Sequence, residues 1–331
     1  MARRLMRPGA APTPPWRYRD AEDDYGATAT PDWRDTDWSR ELKRVDVDGT
    51  PVNYVDVGSG DEEPVVLVHG LGGQWQNWLE NIPRLAQERR VLALDLPGFG
   101  LTPEPADGEI SIPGYGRCVD SFCDKLGLGQ VALVGNSMGG YVAAEVAIQF
   151  FQRVSRLTLV SAAGISSADT LQAPILTFGR VATALAANTM ARHRQLAARP
   201  ITRHMSLLLV ARHPRLLKAD LAYEGFFKGA GKDGFDDALR ASLNYDFRDR
   251  LPDVKVPTLI VWGEKDSIIP VRDADEFERL IDDSRKVVMR DTGHIPMAER
   301  PNTFNDLLLD FLAESGPAEE NEPADGESQA A

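Results

Sequence analysis

Cysteine is nearly missing from this chain: Cys118 and Cys123 are the two in 331 residues. Five positions apart on a helix-compatible stretch, they sit about 140° apart around the axis and should not bond each other. With no plausible disulfide, the expected compartment is the cytoplasm. Long apolar runs are also missing. No stretch of 18 uninterrupted apolar residues occurs, so no transmembrane helix is expected. The N-terminal MARRLMRPGAAPTPPW carries basic residues but no apolar core, so it does not read as a secretory signal. Basic residues are in deficit, 37 against 50 acids, for a net charge of −13. That balance argues against general nucleic-acid binding. Histidine and cysteine form no cluster with metal-ligand spacing, so no metal is expected. The glycine-rich stretch 70–73 has neither the Lys-Ser/Thr ending of a phosphate loop nor GxGxxG spacing, and no cofactor is expected.

What is present is a long chain with 43% hydrophobic residues, enough for a large core. Residues 1–31 are rich in Pro, Arg, Asp and Ala without periodicity and read as a disordered extension. Trp33 and Trp38 are costly to leave in water, so 32–41 is expected to dock on the body. Residues 42–47 and 52–57 flank Asp48-Gly49, a hairpin signal. Short apolar runs at Val65–Val68, Val91–Leu94, Val131–Val134 and Leu157–Val160 have the pattern of strands buried on both faces. Helical spacing occupies Gln74–Glu88, Ile112–Leu126 and Tyr141–Phe150. The alternation stops at Ala162. It resumes with a strand at Val256–Trp262, a helix at Arg272–Ile281, a strand at Lys286–Met289 and a helix at Pro301–Leu312. This predicts an α/β fold, a mostly parallel sheet with helices on both faces. The core is expected over 32–163 and 248–313, and 164–247, helical and without convincing strands, reads as an inserted cap. Residues 314–331 hold six acids and no base and read as a disordered tail.

The most informative string is VALVGNSMGG at 131–140. An apolar run enters Gly135-Asn136-Ser137-Met138-Gly139 and a helix-compatible stretch follows. A serine nucleophile on a tight strand-to-helix turn needs small neighbours two positions to either side, and glycine stands at both. Ser137 is therefore the candidate nucleophile, with Gly135, Asn136 and Gly139 supporting the turn. A serine hydroxyl needs a base. His294, in Asp291-Thr292-Gly293-His294 after a strand, has the required loop position. His193, His204 and His213 stand among arginines in the insertion and read as solvated or gate-lining. Carboxylates that could orient His294 are Asp266, Glu264 and Asp291. The backbone N–H of Met138, next after the nucleophile, is a candidate oxyanion donor.

With VVLVHGLGG (65–73), LALDLPGFG (92–100), LVGNSMGG (133–140), VPTLIVWGEKD (256–266) and DTGHIPMAERP (291–301), the chain resembles the α/β-hydrolases with a helical cap, from about Leu42 to Leu312. The resemblance implies a Ser137–Asp266–His294 triad. It implies a second oxyanion donor at the Leu71 N–H, on a loop shaped by His69, Gly70 and Gly72. It also implies a hydrolase of small or medium carboxylic esters working through an acyl-enzyme. A rival within the class is a carbon–carbon hydrolase of vinylogous diketones from aromatic ring cleavage, whose members GNSMGG resembles. Two departures weigh against it: His294-Ile295 where those enzymes resemble His-Trp, and HGLGGQ where they resemble HGxGPG. A rival from another class is a non-catalytic ligand receptor on the same fold.

The insertion is basic in an acidic protein, with eleven bases against seven acids over 164–247. From Arg192 to Lys218 there are seven Lys/Arg residues, three histidines and no acid. The plain reading is a solvated face paired with the acidic body. The sharper one is a mouth for carboxylate-bearing substrates or an anionic lipid surface. The expected partner is a small acyl substrate, anionic on that sharper reading.

Overall fold

The computed structural model describes residues 24–166, 195, 198–228 and 233–314. Eight strands form one sheet: β1 (Leu42–Val47), β2 (Thr50–Val57), β3 (Val65–Val68), β4 (Val91–Leu94), β5 (Val131–Asn136), β6 (Val154–Val160), β7 (Thr258–Gly263) and β8 (Ser284–Met289). Their order is β1-β2-β4-β3-β5-β6-β7-β8. The β1–β2 and β2–β4 pairs are antiparallel and all later pairs are parallel. The hairpin turns on Asp48 and Gly49, both at positive φ (51° and 85°), as a two-residue turn between twisted strands requires.

The continuous apolar runs β3, β4, β5 and β7 are buried throughout, because helices cover both faces. The longer helices are α1 (Ile112–Lys125), α2 (Met138–Gln149), α3 (Pro200–Leu207), α4 (Phe235–Asn244), α5 (Arg272–Leu280) and α6 (Pro301–Leu312). Helix α1 starts where the Ser111 side chain accepts from the Gly114 N–H (3.0 Å), with Pro113 in its first turn. Two apolar clusters lie on the two sides of the sheet. One gathers Tyr54, Phe99, Phe122, Tyr141, Phe247 and Phe277, the other Trp75, Trp78, Leu79, Phe304 and Leu308. Cys118 and Cys123 are both free thiols, each pushed up to about 12 by burial.

Two expectations need correction. The helix expected at Gln74–Glu88 is broken into short turns at Trp75–Trp78 and Ile82–Leu85. Pro83 has no N–H to continue a helix, and the Trp75 N–H is drawn to Asp95 Oδ1 (2.8 Å). The disordered extension expected over 1–31 does not hold for 24–31. Asp24 accepts from Thr303 N–H (3.0 Å), Gly26 N–H donates to the Glu299 carbonyl (2.7 Å) and Ala29 N–H donates to Glu80 Oε2 (2.8 Å). Residues 1–23 lie outside the described residues. Trp33 docks as expected, donating its indole N–H to Glu80 Oε1 (3.0 Å). At the other end Glu314, the first residue of the expected tail, pairs with Arg285 (2.5 Å), while 315–331 lie outside the described residues.

The described parts of the insertion, between β6 and β7, contain helices and no strand. Asn77 Nδ2 donates to the Gly225 carbonyl (2.6 Å) and Gln74 Nε2 to that of Glu224 (2.8 Å). These bonds tie the insertion to the segment after β3.

Candidate active site

The parallel strands β3, β5, β7 and β8 deliver their following loops to one edge of the sheet, the edge where open α/β sheets bind ligands. His69–Gly72 follow β3, Ser137 follows β5, Asp266 follows β7 and His294 follows β8.

Ser137 has φ 55° and ψ −118°, a conformation non-glycine residues rarely adopt. Three backbone bonds hold it there. Its N–H donates to Val160 (2.9 Å), and its carbonyl accepts from Tyr141 (3.1 Å) and Ala163 (2.9 Å). The glycines act on the backbone more than on the serine side chain. A Cβ on Gly135 would stand 2.1 Å from the Gly139 carbonyl oxygen, and one on Gly139 would stand 2.2 Å from that of Val68. The turn thus closes only because β5, α2 and the end of β3 meet without side chains between them.

Asp266 and His294 meet directly, with Nδ1 2.8 Å from Oδ2 and both side chains buried. The other carboxylate oxygen accepts the N–H groups of Ile268 (2.8 Å) and Ile269 (2.9 Å). A carboxylate fixed in this way accepts a hydrogen bond from Nδ1–H and leaves the Nε2 lone pair free. Asn136, immediately before Ser137, donates through Nδ2 to the carbonyls of Val160 (3.0 Å) and His294 (3.3 Å). The serine turn and the histidine loop are therefore one side chain apart. The His294 N–H donates to Val210 in the insertion (2.8 Å).

The competing carboxylates are committed elsewhere. Glu264 accepts the Asp291 N–H (3.1 Å) and pairs with Lys265. Asp291 pairs with Arg212 (2.9 Å) and His213 (2.7 Å). Burial raises the Asp291 carboxyl, but these two bonds outweigh it and hold it below its ordinary range. His213 is thus bound to Asp291, His204 stays in the insertion and His193 lies outside the described residues.

His69 is fully buried. Its Nε2 accepts the Leu96 N–H (3.0 Å), which leaves Nδ1 to donate to the Gly70 carbonyl (2.7 Å). The ring is a neutral brace between the loops after β3 and β4. A Cβ on Gly70 would lie 3.1 Å from Ser137 Cβ, so this loop rests against the serine. The turn Gly70–Gly73 closes with Gly73 N–H on the Gly70 carbonyl (3.0 Å), with Gly72 at φ 73°. That bond uses neither the Leu71 nor the Gly72 N–H. The Met138 N–H opens α2 and has no acceptor one turn back in its helix.

Burial pushes the His69 imidazole down to about 4 from 6.5. The unfolded chain takes up this proton near pH 6.5, and the folded one only near 4. Stability is therefore complete above pH 6.5 and is lost as pH falls through that window, by roughly 3 kcal/mol at pH 4. Glu80, raised by burial to about 6, contributes with the opposite sign between pH 4.5 and 6. The contribution of His69 is read from a comparison of urea unfolding for wild type and His69→Asn between pH 4 and 7. The variant is expected to have the shallower acid loss of stability. Parallel profiles would show that the ring is not a buried neutral brace.

Two supporting residues are not among those singled out from the sequence. Asp95, buried within LALDLPGFG, accepts from Trp75 N–H (2.8 Å), Asn53 Nδ2 (2.7 Å) and Leu101 N–H (2.9 Å). Glu299 lies wholly buried in DTGHIPMAERP, its carboxyl raised by desolvation. It accepts the N–H groups of Gly293 (2.9 Å), Ile295 (3.2 Å) and Arg212 (2.8 Å), and the hydroxyl of Tyr25. It locks the histidine loop, the insertion and the N-terminal segment to one another. The signal available was an acid directly after the apolar run Ile295-Pro296-Met297-Ala298. Among the described residues, no group of three or more His, Cys, Asp or Glu could hold a metal ion.

A mostly parallel sheet with a strained serine turn, and an acid–histidine pair on later loops of the same edge, has the architecture of a hydrolase of the α/β type. The chain belongs to the family of the alpha/beta hydrolase fold, whose sequence profile matches residues 63–301. It is 32% identical over 283 residues to the 2-hydroxy-6-oxo-2,4-heptadienoate hydrolase of Pseudomonas putida, covering 80% of this chain and 94% of that one. It is 33% identical over 282 residues to the dihydrolipoyllysine-residue acetyltransferase component of the acetoin cleaving system of Pseudomonas putida, covering 82% and 69%. Among solved structures it is similar to a serine hydrolase involved in carbazole degradation, with TM-score 0.62, 28% identity and coverage of 82% and 98%.

Proposed function

We propose that the protein is a serine hydrolase of small to medium carboxylic esters. The observation that carries this reading is the strained Ser137 turn, linked through Asn136 to a histidine whose Nδ1 is held by Asp266. In this mechanism His294 Nε2 takes the hydroxyl proton as Ser137 Oγ bonds to the acyl carbon. The Leu71 and Met138 N–H groups receive the oxyanion, an arrangement that typically lowers such a barrier by several kcal/mol. The C–O bond to the alcohol breaks and the alcohol leaves with the proton from Nε2. Water, deprotonated by the same histidine, then releases the acid and restores the serine. The insertion acts as a cap that selects substrate, because the triad lies outside it.

A second reading is hydrolysis of a carbon–carbon bond in a vinylogous diketone acid. It is favoured by the relative named as a heptadienoate hydrolase and by GNSMGG. Ile295 after the histidine and HGLGGQ after β3 favour the ester reading. Turnover of a p-nitrophenyl ester series is compared with that of one dienoic 1,5-diketone acid, with Ser137→Ala as the blank. Ester turnover with kcat/KM at least tenfold above that for the diketone is the expected result. The reverse ratio would replace the ester reading by the carbon–carbon one. No Ser137-dependent turnover of either would leave the receptor reading.

A further inference from the structure

Helix α3 is turned inside out relative to an ordinary surface helix. Ile201, Met205 and Leu208 follow one another at i, i+4 and i+7 along α3 and its C-cap, so they share one face. They are 70%, 65% and 48% exposed. The opposite face carries Arg203, Ser206 and Leu207, all buried. A helix that buries an arginine and a serine while presenting isoleucine, methionine and leucine outward has its apolar face aimed at something other than the core.

The patch extends beyond the helix. The Arg203 guanidinium reaches the carbonyls of Ala198 (3.3 Å), Pro214 (3.2 Å) and Arg215 (3.3 Å), clamping the 214–216 loop beside the start of α3. Leu216, in that loop, is 54% exposed. It borders a recess lined also by His204, Arg212, His213 and Arg215. Arg212 and His213 are already bonded to Asp291. Arg199, Arg215 and Lys218 are exposed and have no carboxylate partner among the described residues. No acid occurs from Arg192 to Lys218, in a chain whose net charge is −13.

From this juxtaposition we infer that the α3 face of the cap is a docking surface for an anionic lipid bilayer. The apolar row enters the boundary between headgroups and acyl chains, and Arg199, Arg215 and Lys218 meet the lipid phosphates. Charge complementarity selects this occupant. The net negative charge of the chain is repelled by an anionic bilayer, and the acid-free stretch from Arg192 to Lys218 is the part of the sequence that complements it. No helix among the described residues is long and apolar enough to cross a membrane, and the association is one of lying on the surface.

The test is flotation of the full chain with vesicles of phosphatidylcholine alone, and of phosphatidylcholine with a quarter phosphatidylglycerol, at low and at 0.5 M salt. Binding is expected to the anionic vesicles only, and to fall with salt. Each basic side chain at the surface contributes about fivefold to partitioning. The Arg199→Gln/Arg215→Gln/Lys218→Gln variant should therefore lose about 100-fold. The Ile201→Ser/Met205→Ser/Leu208→Ser variant should also lose vesicle binding. All six positions are exposed, so both variants should melt with wild type, and ester turnover in solution should persist in both. A fluorophore on Met205→Cys should shift to the blue on anionic vesicles. No binding at low salt, equal binding to neutral vesicles, or binding that survives the serine variant would overturn the inference. A dimer in sedimentation velocity that the serine variant abolishes would assign the face to a second copy and also overturn it.

Discussion

Replacing Ser137 with alanine is expected to lower kcat/KM for the best p-nitrophenyl ester by about 10⁴- to 10⁶-fold, while the protein stays folded. The oxygen that forms the acyl bond is gone, and a residual rate from positioning and oxyanion donors remains. The backbone makes a second, independent demand. At φ 55° and ψ −118° the residue is strained whether it is serine or alanine, at a cost of about 1 to 3 kcal/mol. Ser137→Ala should therefore melt close to wild type. Ser137→Gly relieves the strain and should be more stable than both, by about 1 kcal/mol, and equally inactive. A fluorophosphonate probe should label wild type stoichiometrically at Ser137 and neither variant. Label that survives Ser137→Ala would sink the assignment of the nucleophile. A glycine variant less stable than the alanine one would show that the turn is not under strain.

The parts of this fold that were legible in the sequence are those where local chemistry and tertiary role coincide. VVLV, VLAL and VALV could only be strands covered on both faces. Gly135 and Gly139 announced a turn with no room for a Cβ. Pro301 opened a helix at the residue where α6 begins. The segment 74–88 misled because its apolar spacing satisfies a helix, while its bonds run to Asp95 and Gly225, far away in sequence. Residues 24–31 misled for the same reason. Their composition is that of a solvated tail, but Tyr25 and Ala29 are held by Glu299 and Glu80, two buried carboxylates whose partners no local pattern reveals. In the candidate site, the glycine-flanked turn 135–139 singles out Ser137 from the sequence, and loop position after a strand singles out His294. The choice of Asp266 over Glu264 and Asp291 depended on resemblance. In the structure Asp266 has one oxygen on two backbone N–H groups and the other on His294, while Glu264 and Asp291 are held by Lys265, Arg212 and His213.

That arrangement sets a graded expectation for the histidine and its acid. His294→Ala removes the only group proposed to take the serine proton, and should cost about 10⁴- to 10⁶-fold in kcat with KM little changed. Asp266→Asn keeps the shape. Its amide still offers one acceptor, but the two N–H groups of Ile268 and Ile269 claim the oxygen on the other side. The amide nitrogen is then turned toward Nδ1, which forces the opposite tautomer and puts the proton on Nε2. A loss of about 10³- to 10⁴-fold follows, almost wholly in kcat. His213→Ala breaks the bond to Asp291 and the ring contact with Tyr25, both at the rim of the same loop. It should cost less than tenfold, because Glu299 still holds Gly293 and Ile295. Steady-state kinetics of the three variants on one ester decide the matter. Losses of equal size at His213 and His294 would mean that the base is misassigned. An Asp266→Asn variant within tenfold of wild type would place the orienting carboxylate elsewhere.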